Sequence, residues 1–246
     1  MIFLLIFTVG IVAGFINTLA GGGSILVLPV LILAGLPSPV ANATNRVAIL
    51  FQNATATRKF HKHKLLKVKP VIHITIAAII GAIAGSFFAV KIDSAIFDKL
   101  MGTVFIFILF MMLRPKHKKK TKSLPRWIEF TIFIAVGFYG GFIQAGVGFM
   151  FLATLNLVED YDLIHANSVK VFIILSYTVF SVIIFAVSGK ILLLHGLILA
   201  CGNSIGAFIG VKATVSGGEK IVKVVLTIII LITCLKLFGV LKLFEL

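Results

Sequence analysis

Acidic residues are scarce in this chain: 8 Asp and Glu stand among 246 residues, against 23 Lys and Arg, and charged residues of all kinds make up 13%. A soluble domain needs a polar outer layer, and so few charges cannot form one when 60% of the residues are hydrophobic. Cysteine is nearly absent too. Cys201 and Cys234 both lie in apolar stretches, which suggests neither a disulfide framework nor a metal site. No Walker loop, Ser–His–Asp set or metal-ligand spacing occurs, so the chain is read as a non-enzyme without a cofactor. No basic residue precedes Arg46, whereas a cleaved signal peptide opens on a positive region; the apolar N-terminus is expected to be a retained helix.

What is abundant is apolar length, with a mean hydropathy of +1.16. Long apolar runs separated by Gly, Pro or charged stretches predict an all-α, polytopic integral membrane protein of about ten segments. They fall at 2–20, 22–36, 40–57, 69–90, 95–113, 127–145, 147–158, 162–188, 190–212 and 219–241. The second and seventh are shorter than the ~20 residues of a straight crossing and follow Gly-rich breaks, as half-helices or re-entrant elements do. Asn42-Ala43-Thr44 and Asn53-Ala54-Thr55 match a glycosylation pattern but fall inside a predicted helix.

The net charge of +15 invites a nucleic-acid reading, with Lys116, Lys118, Lys119, Lys120 and Lys122 resembling a localisation signal. That run sits between two apolar stretches, where a basic loop against the anionic lipid of the inner leaflet is the better reading. If all ten segments change sides, sixteen Lys and Arg fall on one side and five on the other, while Arg46 and Lys170 lie inside segments. The positive-inside rule then puts the clusters at 58–69 and 114–126 in the cytoplasm and both termini outside.

The chain also repeats itself. Gly10-xxx-Gly14-Phe15-Ile16 recurs as Gly137-xxx-Gly141-Phe142-Ile143, Thr44-Asn45-Arg46 as Ser168-Val169-Lys170, and Gly81-xxx-Gly85 as Gly206-xxx-Gly210, in the same order. The expected organisation is a first transmembrane repeat at 1–113, a basic cytoplasmic loop at 114–126 and a second repeat at 127–246. Five crossings per repeat is an odd number, so the second repeat is inverted, an architecture of secondary transporters whose sites lie where the halves meet.

Two constellations could carry chemistry. Asn17, then Gly21-Gly22-Gly23-Ser24, interrupts the first segment, since each glycine weakens a helix by about 1 kcal/mol relative to alanine. The following helix N-terminus would suit an anion. Its counterpart is Gln144-Ala145-Gly146-Val147-Gly148. The second constellation is Arg46 and Lys170, roughly 9–12 Å into their segments at 1.5 Å per residue, with Thr44, Asn45 and Ser168 beside them. The plainer alternatives are close helix packing for the glycines and snorkelling for the cations. Every acidic residue lies at or near a predicted segment end, so the interior suits an anionic substrate. His73 and His165 are interfacial, His61, His63 and His117 belong to the basic loops, and His195 is structural; the Gly81/Gly85 and Gly206/Gly210 pairs pack helices.

Gly10 to Ser24 followed by Leu28-Pro29, Ala43-Thr44-Asn45-Arg46, and Gly140 to Gly148 together resemble the doubled signature of the TauE/SafE sulfite exporter family over essentially the whole chain. Gln144 and Ala145 depart from it, replacing a smaller or Gly-rich pair. The resemblance implies transport of sulfite or a related sulfur-containing or organic anion across the cell membrane, with the two breaks lining the site and Asn45 and Lys170 nearby. The expectation is a secondary transporter of a small anion working by alternating access. The competing expectation is a non-transporting membrane scaffold that binds a partner through its basic loops. Substrate, direction, coupling ion and oligomeric state are not encoded in any recognisable motif.

Overall fold

The computed structural model describes residues 2–113, 125–158 and 161–237, and within these the side chains of 104–113, 157–158 and 217–237 are not described. The described residues are helical, without strands: α1 (Ile2–Leu19), α2 (Gly23–Leu33), α3 (Ser38–Lys62), α4 (Ile72–Lys91) after a 3-10 turn (Lys69–Val71), α5 (Ser94–Leu113), α6 (Arg126–Phe142), α7 (Val147–Val158), α8 (Leu163–Val187) and α9 (Leu193–Leu237). The basic run at 114–122 lies outside the described residues.

Most boundaries follow local chemistry. Pro37 and Pro125 precede α3 and α6, where a missing N–H costs nothing. Asp162 caps α8 by accepting from the N–H groups of Ile164 and His165, both at 2.9 Å. α6 stops at Phe142, three residues before the expected end of its segment, because Gln144 (φ +66°) and Gly146 (φ +68°) enter the left-handed region. The ninth and tenth expected segments differ more: they form one continuous helix, α9, whose 45 residues extend about 68 Å at 1.5 Å per residue. The join at 212–219 contains no proline, and Thr214 bonds back to the Gly210 carbonyl at 2.9 Å, so nothing there stops the helix.

Inside and outside are reversed relative to a soluble protein. Leu4, Leu33, Phe87, Phe208 and Val187 are exposed, while Asn42, Asn45, Arg46, Gln52, Asn167 and Lys170 are almost fully buried. Lipid accounts for this distribution and water does not. Among the described residues, four helical stretches, Ile2–Leu19, Lys69–Lys91, Leu163–Val187 and Leu193–Ser216, are long and apolar enough to cross a membrane. α3 is as long as α8 but too polar to join them. The protein is a multi-pass membrane protein.

Glycines set the main helix pairings. In α1 and α9, a Cβ on Gly202 would lie 2.3 Å from the Phe7 carbonyl oxygen and one on Gly206 2.0 Å from that of Ile11. In α4 and α6, a Cβ on Gly81 would lie 2.0 Å from the Ile134 carbonyl oxygen and one on Gly85 2.0 Å from that of Phe138. Contacts advance in the same direction along both helices of each pair, so both pairs are parallel and both rest on bare backbone. α3 and α8 instead run antiparallel: Thr44 Oγ1 near the start of α3 accepts from Leu192 N beyond the end of α8 (3.1 Å), and Ser168 Oγ near the start of α8 donates to the Leu65 carbonyl beyond the end of α3 (2.9 Å).

Candidate functional site

α1 and α6 each end inside the bundle, and a helix end leaves carbonyls without intrahelical donors. Both ends receive donors from the other half of the chain. Lys170 Nζ on α8 donates to the carbonyls of Asn17 (3.0 Å) and Thr18 (3.1 Å), and Asn167 Nδ2 to that of Leu19 (3.1 Å). At α6, Arg46 on α3 donates from Nη1 to the Gly140 carbonyl (2.9 Å) and from Nη2 to that of Gly141 (2.6 Å), while Asn42 Nδ2 reaches Phe142 (2.9 Å). One cation and one amide thus serve three successive carbonyls at each break. A cation at a helix C-terminus is favoured by the macrodipole, and low polarity strengthens the attraction.

Both cations are buried, and hydrophobic or neutral groups complete their surroundings. Lys170 Nζ also bonds Asn167 Oδ1 (2.7 Å). Arg46 bonds Gln144 Oε1 (3.1 Å) and lies over the Phe185 ring, 4.7 Å from its centre. Gln144 holds a left-handed backbone that glycine would adopt more readily, and its Oε1 also accepts from the Tyr177 hydroxyl at 3.2 Å. Tyr139 donates its hydroxyl to the Ala145 carbonyl, tying the same break to α6. Among the described residues the carboxylates that contact a basic side chain are Glu129, 3.2 Å from His73, and Asp162, 2.6 Å from His165, so none compensates Arg46 or Lys170. No group of three or more His, Cys, Asp or Glu among the described residues could hold a metal ion.

The breaks themselves meet. Gly21 (φ +90°) and Gly148 pack backbone against backbone: a Cβ on Gly21 would stand 2.3 Å from Gly148 C, and one on Gly148 2.3 Å from Gly21 Cα. Gly22 is covered by the Phe149 ring and Gly23 by the Ala13 carbonyl and Asn17. Ser24 Oγ accepts from Asn45 Nδ2 at 3.1 Å. Asn17, Gly21, Gly22, Gly23, Ser24, Asn45, Arg46, Gln144, Gly146, Gly148 and Lys170 therefore belong to the two breaks and their immediate partners. Thr44 and Ser168 do not: their hydroxyls anchor the chain ahead of α9 and α4. Neither cation snorkels.

Asn42, Asn167, Tyr177, Tyr139 and Phe185 escaped the sequence reading. For the two asparagines a signal existed, since each stands about one helical turn before its cation in corresponding places. For Tyr177 and Phe185, far along α8, no spacing rule points at the breaks.

Comparison with known proteins agrees with the doubled motif. The family model for the sulfite exporter TauE/SafE matches residues 6–237. A "Probable membrane transporter protein ORF9" of a Sinorhizobium species is 24% identical, covering 95% of this chain and 91% of its own. A "Probable membrane transporter protein" of Haemophilus influenzae is 27% identical over 89% and 88%, and "Probable membrane transporter protein YfcA" of Escherichia coli K12 is 23% identical over 94% and 88%. No solved structure matches.

Proposed function

The chain belongs to the sulfite exporter TauE/SafE family, and we propose that it is a secondary transporter moving a small anion, sulfite or a related sulfur-containing or organic anion, across the cytoplasmic membrane by alternating access. The observation that carries this is the pair of buried cations partnered by neutral carbonyls, amides and a ring, with no carboxylate beside them among the described residues. Such a centre holds positive potential that only an arriving anion neutralises, and an intramembrane charge without a paired opposite charge is costly unless it serves that purpose.

We read the chain as two inverted repeats, 1–113 and 127–246, joined by the basic segment 114–126, whose residues 114–124 lie outside the described structure. The parallel α1/α9 and α4/α6 pairs, the antiparallel α3/α8 pair and the reciprocal capping of the two breaks support that reading. Each cation reaches from one half into the break of the other, so an anion that takes a guanidinium or ammonium donor releases a carbonyl of the opposite half. Exchange of donors between carbonyl and anion is the event we assign to the rocking of one repeat on the other.

Sulfite flux in proteoliposomes tests the proposal. The wild-type protein should move labelled sulfite, and a monodisperse Arg46→Gln/Lys170→Gln variant should not; full flux in that variant would refute it.

A further inference from the structure

Eight buried side-chain polar atoms among the described residues have no hydrogen-bond partner, and six of them lie on α3: Asn42 Oδ1, Asn45 Oδ1, Arg46 Nε, Gln52 Nε2, Asn53 Oδ1 and Thr57 Oγ1. Their spacing of three, four and seven places them on one face of the helix. A seventh, Asn203 Oδ1 on α9, faces this stripe, because Asn203 Nδ2 donates to Gln52 Oε1 at 3.1 Å. From Asn45, which donates to Ser24 at the first break, to Thr57, two residues before Lys59, the stripe rises about 18 Å at 1.5 Å per residue. Partnerless polar groups within a bilayer are expensive and persist where they line a wet path.

α8 carries the corresponding stripe at Asn167, Lys170, Tyr177, Thr178 and Ser181, but most of it is closed. Tyr177 donates to Gln144, and Ser86 bonds both Ser181 (2.8 Å) and the Gly141 carbonyl (3.1 Å). Thr178 Oγ1 alone is left over. The two ends of the molecule are therefore unequal. The end of α3, with Lys59 and Lys62, has free donors and acceptors leading to it; the end of α8 is sealed by hydroxyl contacts.

We propose that the polar face of α3, with Asn203 opposite, is the path along which a partly hydrated anion passes between the glycine breaks and the Lys59 end, the Gln52–Asn203 hydrogen bond being its constriction. The proposal deepens the transporter reading and rests on it. Free N–H and O–H donors at Arg46, Gln52 and Thr57 suit the anion's oxygens, and the asparagine oxygens suit the water or acidic proton it carries. No charged residue follows Arg46 along α3 until Arg58 and Lys59 at its far end, so the anion is not trapped on the way.

Thiol accessibility tests the path without any substrate. In a protein with Cys201 and Cys234 replaced by serine, Asn53→Cys and Thr57→Cys should react with the membrane-impermeant anionic reagent sulfonatoethyl methanethiosulfonate from the Lys59 side only. Phe51→Cys, at a position 47% exposed on the apolar surface, should stay unmodified. Asn53→Cys and Thr57→Cys as inert as Phe51→Cys overturn the path. A second variant covers misfolding of these: Gln52→Met/Asn203→Leu replaces both partners by apolar groups of similar size, which is neutral or stabilising for a merely structural pair. It should keep or raise the melting temperature and lose anion flux; undiminished flux overturns the constriction. Inert thiols with intact sulfite transport remove the path alone, whereas reactive thiols in a protein that moves no sulfite remove the sulfite assignment alone.

Discussion

At the residue scale, the two cations do work that no neighbouring group can take over. Arg46 serves two carbonyls from two nitrogens in one plane, a geometry that a lysine point charge cannot copy. Arg46→Lys should therefore lose most sulfite flux despite conserving charge. Lys170→Met leaves the Asn17 and Thr18 carbonyls without the ammonium and should lower unfolding stability by about 3 kcal/mol, read from reversible unfolding in detergent. Away from the site, burial would raise the Asp162 carboxyl, but hydrogen bonds from His165 and Ile164 outweigh it and hold the group below its ordinary value. A depressed carboxyl stabilises the fold above its unfolded value and stops doing so as pH falls through the folded one. Asp162→Ala should cost about 1 kcal/mol at neutral pH, with faster amide exchange at Ile164 and His165; the difference from wild type should vanish in strong acid.

At the element scale, helix pairs here depend on the absence of side chains. Without a hydrophobic driving force between helices in lipid, close backbone contact supplies the attraction. Gly85→Ala places a Cβ 2.0 Å from the Phe138 carbonyl oxygen, and Gly206→Ala one 2.0 Å from that of Ile11, so neither neighbour can yield without moving a helix. Each should cost roughly 1–3 kcal/mol and lower the melting temperature, while Gly102→Ala, with nothing within 4 Å, should not. The helix-packing reading of Gly81/Gly85 and Gly206/Gly210 came from sequence spacing alone, because four-residue spacing places both glycines on one face. The length of α9 did not, since Ser216-Gly217-Gly218 looks like an end and only the surrounding helix decides whether it becomes one.

At the scale of the whole molecule, the two breaks are held by exchange: α3 holds the break of α6, and α8 holds the break of α1. Gly21→Ala adds a Cβ into Gly148 at a left-handed backbone and should abolish flux. The antiparallel course of α3 and α8 has a topological consequence. His63→Cys, just beyond α3, and Ser188→Cys, just beyond α8, should label from opposite sides of the membrane, His63→Cys from the cytoplasm. Labelling of both from one side would remove the inverted arrangement.

Composition and order alone determined that this is a helical membrane protein, that α1 and α6 break at their Gly-rich ends, and that Arg46 and Lys170 stand within helices. Those properties follow from hydropathy, glycine and charge, which act locally along the chain. What the cations touch was decided only in three dimensions. Arg46 and Gly140 are 94 residues apart and Lys170 and Asn17 are 153 apart, and no periodicity links such positions. The same holds for Gln52 and Asn203: each reads as an ordinary polar residue until the packing of α3 on α9 leaves one hydrogen bond made and two polar atoms unpaired.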